Sequence, residues 1–285
     1  MGTSSWSFPG WDGLVYQGAF SESHLARHGL AAYARHPLFR AVGIDRTYYA
    51  PISAEVFASY AGAVPDDFRF LAKAHELCTL ARLPRHDRHG SNKGELNSRF
   101  LDPAYARDAV VEPFATGLGD KAGPLLFQLA PQSMEALEGP LRFAERLHRF
   151  LTALPRGPLY AVEVRNTSLL TRDYAEALAD AGACHCINLW GRMPPPAIQA
   201  EKAGTGSAPA VIIRWMLVRH MRYQQARDAY APFNAIVDRD QQARNNIVDL
   251  IRKAENAGQP TYVIVNNKAE GSAPLSIAAL AELMS

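Results

Sequence analysis

Short apolar runs and amphipathic helical stretches take turns along the whole chain, and that rhythm restricts the fold more than any other feature of the sequence. Runs at residues 41–45, 68–74, 125–130, 159–165, 183–189, 210–215 and 261–267 are nearly continuous in Val, Ile, Leu, Phe and Ala, as expected of parallel strands buried on both faces. Between them, Val56, Phe57, Tyr60, Ala61 and Val64 share one helical face. So do Ala144, Leu147, Leu151 and Leu154, and again Ala243, Ile247, Leu250, Ile251 and Ala254. Gly258 and Pro260 then stop the last of these helices before its strand. Residues 2–5 supply an eighth, unusually short strand. An open doubly wound sheet is the competing topology, but no Gly-rich phosphate turn follows any strand and the rhythm runs evenly to the C-terminus. The expectation is an α/β fold: a closed (β/α)8 TIM-like barrel forming a single domain over residues 1–285.

Composition narrows the class further. A chain of 285 residues, 48% of them hydrophobic, can bury roughly 75% of the surface its unfolded form exposes. With 30 Lys and Arg against 28 Asp and Glu, the balance does not suggest a general nucleic-acid or membrane-surface binder. Cys78, Cys184 and Cys186 are too few for a disulfide scaffold. Cys184 and Cys186 should share one face of their strand, with His185 opposite. The opening residues lack the continuous apolar core of a signal peptide, and no apolar run approaches the roughly 20 residues of a membrane span. A cytoplasmic protein without a membrane partner is expected.

Two segments break the rhythm, both after strands and so on the C-terminal face of a barrel. Residues 82–100 carry Arg82, Arg85, Arg88, Lys93 and Arg99 against Asp87 and Glu95; residues 191–209 are rich in Pro, Gly and Ala, with Pro194, Pro195 and Pro196 in a row. Both read as long loops, either lids or solvated surface.

Chemistry in such barrels sits at the C-terminal ends of the strands. Those ends place Ser4 and Trp6, Asp45, Lys73 and His75, Gln128, Glu163 and Arg165, Asn188, Arg214, and Asn266 and Asn267 around one mouth. Burying so many polar groups costs about 1–3 kcal/mol each unless they find partners. They should therefore form a network. Lys73 stands out, because desolvation in an apolar strand end lowers a lysine pKa and suits a general base or a Schiff base. A salt bridge to Asp45 or Glu163 that merely closes the barrel is the plainer alternative. Glu163 and Arg165, two apart, point to the same face, either as a structural pair or as general acid/base and anion binder. Asp45 is the second carboxylate, and two carboxylates across a mouth suit glycoside chemistry. Tyr48 joins Trp6 as an aromatic platform or as core. His75, Asp45, Glu163 and His185 lack recognised metal-ligand spacing, so neither metal nor cofactor is expected.

The same strand ends carry a resemblance. Gly2-Thr3-Ser4-Ser5-Trp6-Ser7-Phe8, with Trp11 and Tyr16 after it, resembles the opening "GTSGWSY…W…FY" of the domain of unknown function 72 (YecE-like) family. Val42-Gly43-Ile44-Asp45-Arg46-Thr47-Tyr48-Tyr49 is similar to its "VEINSTFY", and Phe68 to Lys73 to its "F-x-F-x-x-K". Leu126 to Pro131 resembles "LFQLPP", and Ala161 to Asn166 resembles "AVEFRH". Asn266-Asn267, followed by Gly271 and Ala273-Pro274, is similar to "FNN…G…A". Asp45 stands one or two places later than the family's glutamate. Of the family's "R-L-H-G", only Arg214 carries over, and the segment from Val218 to Tyr230 departs from the pattern. The resemblance implies a divergent member with a TIM-like barrel, and it implies no reaction.

Three functions remain in competition. An enzyme would use Lys73, Glu163 and Asp45 for acid/base chemistry, as a hydrolase or a lyase. Its small polar or anionic substrate, such as a sugar derivative or phosphorylated metabolite, would be held by Ser4, Trp6, Tyr48, His75, Gln128, Arg165, Asn188, Arg214, Asn266 and Asn267. A nucleic-acid-associated protein would instead bind through the basic loop at 82–99 and the run at 219–227. The third is a non-catalytic ligand-binding barrel. The concentration of polar residues at strand ends favours the enzyme.

Overall fold

Eight parallel strands close on one another in chain order. They are β1 (Gly2–Thr3), β2 (Ala41–Ile44), β3 (Arg69–Lys73), β4 (Ala122–Leu129), β5 (Leu159–Val164), β6 (Cys184–Leu189), β7 (Val211–Trp215) and β8 (Thr261–Val265). This computed structural model describes residues 1–191 and 193–285, with Asp87 and Arg88 as backbone only. The barrel expected from the apolar rhythm is the one observed. Closure depends on two-residue β1, where Gly2 pairs with both Ala41 and Ile264. A Cβ on Gly2 would lie 1.7 Å from the Ala41 carbonyl oxygen, so only glycine lets the strands approach this closely. The buried Tyr33 hydroxyl pins the joint: it accepts from the Thr3 amide at 2.9 Å and donates to the Ala41 carbonyl at 3.1 Å.

Each strand sorts its residues by the period of two. Leu71, Leu126, Ala161, Cys184, Cys186, Ile212 and Ile264 fill the barrel interior. Their neighbours Phe70, Phe127, Val162, Ile187, Ile213 and Val263 pack outward against the helices. The two cysteines therefore do share the inner face. His185 lies outside, with Nδ1 2.9 Å from the Tyr174 hydroxyl.

The helices are α1 (Glu22–His28), α2 (Leu30–Tyr33), α3 (Ala54–Gly62), α4 (Pro103–Ala106), α5 (Glu112–Leu118), α6 (Gly139–Ala153), α7 (Arg172–Ala181), α8 (Pro196–Lys202), α9 (Tyr223–Tyr230), α10 (Gln241–Asn256) and α11 (Ala273–Met284). Among the described residues, no helix is long and apolar enough to cross a membrane.

The segment expected as a loop at 191–209 contains α8 and a short 3-10 turn at Thr205–Ser207. The proline run begins this helix rather than preventing it, because Pro196 occupies the first turn, where a missing N–H costs nothing. Gln199 docks the helix on β6: its Oε1 accepts from the Asn188 amide at 3.1 Å, and its Nε2 donates to the Asn188 carbonyl at 2.8 Å. The segment at 82–100 is irregular. It is pinned by an Arg82–Leu96 bridge and by Asn97, whose Nδ2 donates to the carbonyls of Leu77 and Leu80. The side chains of Asp87 and Arg88, part of its expected charge pattern, lie outside the described residues. A third excursion, after β7, packs Leu217, Val218, Ala226 and Tyr230 with Trp190, Met221 and Phe233.

Candidate functional site

The barrel interior turns from apolar to polar in a single step of the pleat. Lys73 stands two positions past Leu71, Gln128 past Leu126, Glu163 past Ala161, Asn188 past Cys186, Arg214 past Ile212 and Asn266 past Ile264. Side chains two apart share a strand face, so the strands raise a polar layer directly over the apolar one.

At its centre lies Glu163, fully buried. Its Oε1 accepts from Arg165 Nε at 2.7 Å, and its Oε2 accepts from Arg214 Nη1, two strands away on β7. Gln128 Oε1 bridges the same two guanidinium groups, at 3.0 Å from Arg214 Nη1 and 3.2 Å from Arg165 Nη2. Burial by itself would raise the Glu163 pKa. Arg214, Arg165 and Lys73 outweigh it and hold the carboxyl down at about 2. Arg214 Nε has no hydrogen-bond partner among the described residues.

Beside this cluster, Lys73 Nζ meets Asp45 Oδ1 at 3.0 Å, and Arg214 Nη2 lies 4.0 Å from the same oxygen. Burial pushes the Lys73 pKa down; Asp45 and Glu163 oppose the shift, while Arg214 and Arg165 reinforce it. The pair is unequal in exposure, with 35% of the Asp45 side chain reaching solvent against 11% of Lys73. Asp45 therefore marks where the mouth opens. The Tyr48 ring flanks Lys73, its centroid 5.6 Å from Nζ, and exposed Tyr49 stands edge-on to Tyr48.

On the β8 side, Asn266 Nδ2 donates to Ser4 Oγ at 2.8 Å, and Asn266 Oδ1 accepts from the Lys268 amide at 3.0 Å and from Lys268 Nζ at 3.4 Å. Lys268 was not among the residues expected here. Burial lowers its pKa to about 8, Asp45 opposing and Arg227 adding to the shift. The signal for it was the polar run at the end of the eighth strand, which continues one residue past Asn267. Trp190, also unforeseen, lays its ring 4.5 Å from the Arg165 guanidinium.

Several expected members also make contacts away from the central cluster. Trp6 donates its indole N–H to the Leu25 carbonyl at 3.1 Å and packs edge-on to Tyr60, so it serves the contact with α1 and α3. Asn267 Oδ1 accepts from Trp11 Nε1 at 3.2 Å and from the Ala273 amide at 2.8 Å, tying the start of α11 to the N-terminal segment. Asn188 Nδ2 donates to the Val164 carbonyl at 3.0 Å. His75 Nδ1 lies 2.5 Å from the Tyr105 hydroxyl. His185 sits in the outer layer, apart from Asp45 and Glu163, and burial lowers its pKa to about 4. Among the described residues, no group of three or more His, Cys, Asp or Glu comes together as a metal site would require.

The family model described as "Protein of unknown function DUF72" matches residues 1–285. Two solved structures of DUF72 family proteins are similar to this one. The Enterococcus faecalis protein is 17% identical, with a TM-score of 0.66 over 99% of this chain and 94% of its own. The Thermotoga maritima protein is 19% identical, with a TM-score of 0.62 over 99% of this chain and 97% of its own. At these identities the likeness speaks for the fold alone. No curated protein matches the sequence.

Proposed function

Since the chain belongs to the DUF72 family of proteins of unknown function, we propose from its own residues that the barrel mouth binds a small anionic substrate and transforms it by acid–base chemistry. The observation that carries this reading is the charge arrangement. Lys73, Arg165, Arg214 and Lys268 gather at one end of the barrel against Asp45 and Glu163. Glu163 is consumed in holding the two arginines, which leaves an excess of positive charge for a phosphate, carboxylate or similar group.

Roles follow from the environments. A carboxyl held near 2 neither donates nor accepts a proton at neutral pH, so Glu163 and Gln128 act as positioning residues that aim Arg165 and Arg214. Proton transfer falls to Asp45 and Lys73, the pair at the opening, whose lysine is eased toward neutrality by burial. Ser4 and Asn266 orient the β8 side of the mouth.

A thermal-shift series on the full chain tests the reading, because a ligand that binds only the folded state raises its melting temperature. Inorganic phosphate, sugar phosphates and sugar acids should stabilise the protein at pH 7.5, and Lys73→Met and Arg165→Gln should abolish the effect. Absence of any anion response, or a response untouched by both variants, overturns it. Oligonucleotide stabilisation that vanishes with salt and survives both variants would move the function to the basic segment at 82–99.

A further inference from the structure

The two lysines of the mouth are held in different ways. Lys73 carries a carboxylate partner at 3.0 Å. Lys268, 4% exposed, has no such partner within ion-pair distance among the described residues. Its Nζ instead faces the ring of Tyr223 at 4.3 Å and that of Phe233 at 5.5 Å, with Asn266 Oδ1 at 3.4 Å. Its carbonyl accepts from the Val218 amide at 2.8 Å, so its backbone is anchored to the segment that follows β7. An aromatic face stabilises an ammonium less than a carboxylate does, and burial removes the water that would otherwise compensate. The charged groups acting on it are Asp45, past the end of β2, and Arg227, on α9. Asp45 is the carboxylate at the opening, with 35% of its side chain exposed.

We propose that Lys268 is the amine nucleophile of this barrel, condensing with the carbonyl carbon of an anionic aldehyde or ketone. This rests on the reading that the mouth binds anions, and it names the substrate class. The lone pair of neutral Nζ bonds to the carbonyl carbon while the C=O π pair moves to oxygen. That oxygen leaves as water with two protons, one from Nζ and one from the Lys73 ammonium, which regains its proton from solvent. The product is a protonated C=N bond that draws electrons from the adjacent carbon. Arg165 and Arg214 hold the anionic group.

The test uses the full chain, pyridoxal 5′-phosphate as probe, sodium borohydride to reduce the imine, and peptide mass spectrometry to locate it. The expected result is a stable adduct on Lys268 whose yield rises with pH, half-maximal near pH 8. Labelling at pH 7.5 should be at least about tenfold faster than on exposed Lys202 and Lys253, because a far larger share of the amine is neutral. Lys268→Arg keeps a cation over Tyr223 but forms no imine. It should melt as the parent does and lose the adduct. Labelling on Lys73 instead, or on Lys268 no faster than on Lys202, overturns the proposal. Stabilisation by the probe without a Lys268 adduct defeats this inference and leaves the anion reading standing. Labelling of Lys268 by glyceraldehyde as fast as by the probe, with no protection by inorganic phosphate, defeats the anion reading and the anionic substrate class with it, and leaves only the nucleophilic role of Lys268.

Discussion

Glu163 reaches past β6 from β5 to grip Arg214 of β7 with one carboxylate oxygen, while the other holds Arg165 Nε at 2.7 Å. Both Glu163 and Arg214 are buried, with 0% and 1% of their side chains exposed. Attraction repays the dehydration of such a pair only while both partners are present.

Glu163→Gln keeps the shape and removes the charge, leaving two guanidinium groups without their shared counter-ion. The expected loss is about 3–5 kcal/mol of stability, read as a lower urea midpoint with an unchanged slope. A loss under about 1 kcal/mol would show that Gln128 and solvent suffice to hold the arginines.

Acid should destabilise the fold in two windows. His185 is neutral when folded, with its pKa lowered from 6.5 to about 4 by burial. The unfolded chain therefore binds a proton first, and stability falls as pH drops from 6.5 toward 4. Glu163 is lowered from 4.5 to about 2, so its contribution is complete above 4.5 and is lost between there and 2. Urea midpoints measured across pH should flatten in the upper window for His185→Gln and in the lower one for Glu163→Gln.

Lys73 and Asp45 should prove functional rather than architectural. Methionine fills the space of the lysine stem, and Asp45 is open enough to be solvated without a partner. Lys73→Met should therefore shift stability by less than about 1 kcal/mol while removing anion-induced stabilisation. A double-mutant cycle with Asp45→Asn should give a coupling near 1 kcal/mol. A coupling above about 3 kcal/mol would mark the pair as a closure of the barrel.

Gly43 should tolerate no side chain. A Cβ there would lie 2.9 Å from the Ser4 carbonyl oxygen and 3.1 Å from the Ser4 Cα, forcing β1 away from β2. Gly43→Ala should cost about 1–3 kcal/mol and disturb the Ser4–Asn266–Lys268 chain. Ser4→Ala, which removes one hydrogen bond, should cost about 1 kcal/mol. A Gly43→Ala variant that melts as the parent does would contradict this.

How far the sequence reached is clearest at individual residues. The rule that barrel chemistry sits at the strand ends put Lys73, Gln128, Glu163 and Arg214 around one mouth, and the strand period put Glu163 and Arg165 on one face. It also put Cys184 and Cys186 on one side of β6 and His185 on the other. Beyond the strand ends that period lapses, and there the sequence does not say which way a side chain turns. Trp6 turned to the helices, Asn267 became a tie for α11, and Lys268 went unnoticed. The proline run hid α8 because a residue that breaks a helix interior is also a good helix start.

The sequence by itself determined the barrel and the polar layer on top of it, since both follow from local hydrophobic period and from the short range of the pleat. Only the tertiary structure decided which charges meet. Whether Glu163 pairs with Arg214 or with Lys73, and which lysine has a carboxylate beside it, depends on distances across a closed ring. Those distances join residues far apart in the chain, and electrostatic interaction energy follows spatial separation and burial, neither of which a residue's position in the sequence records.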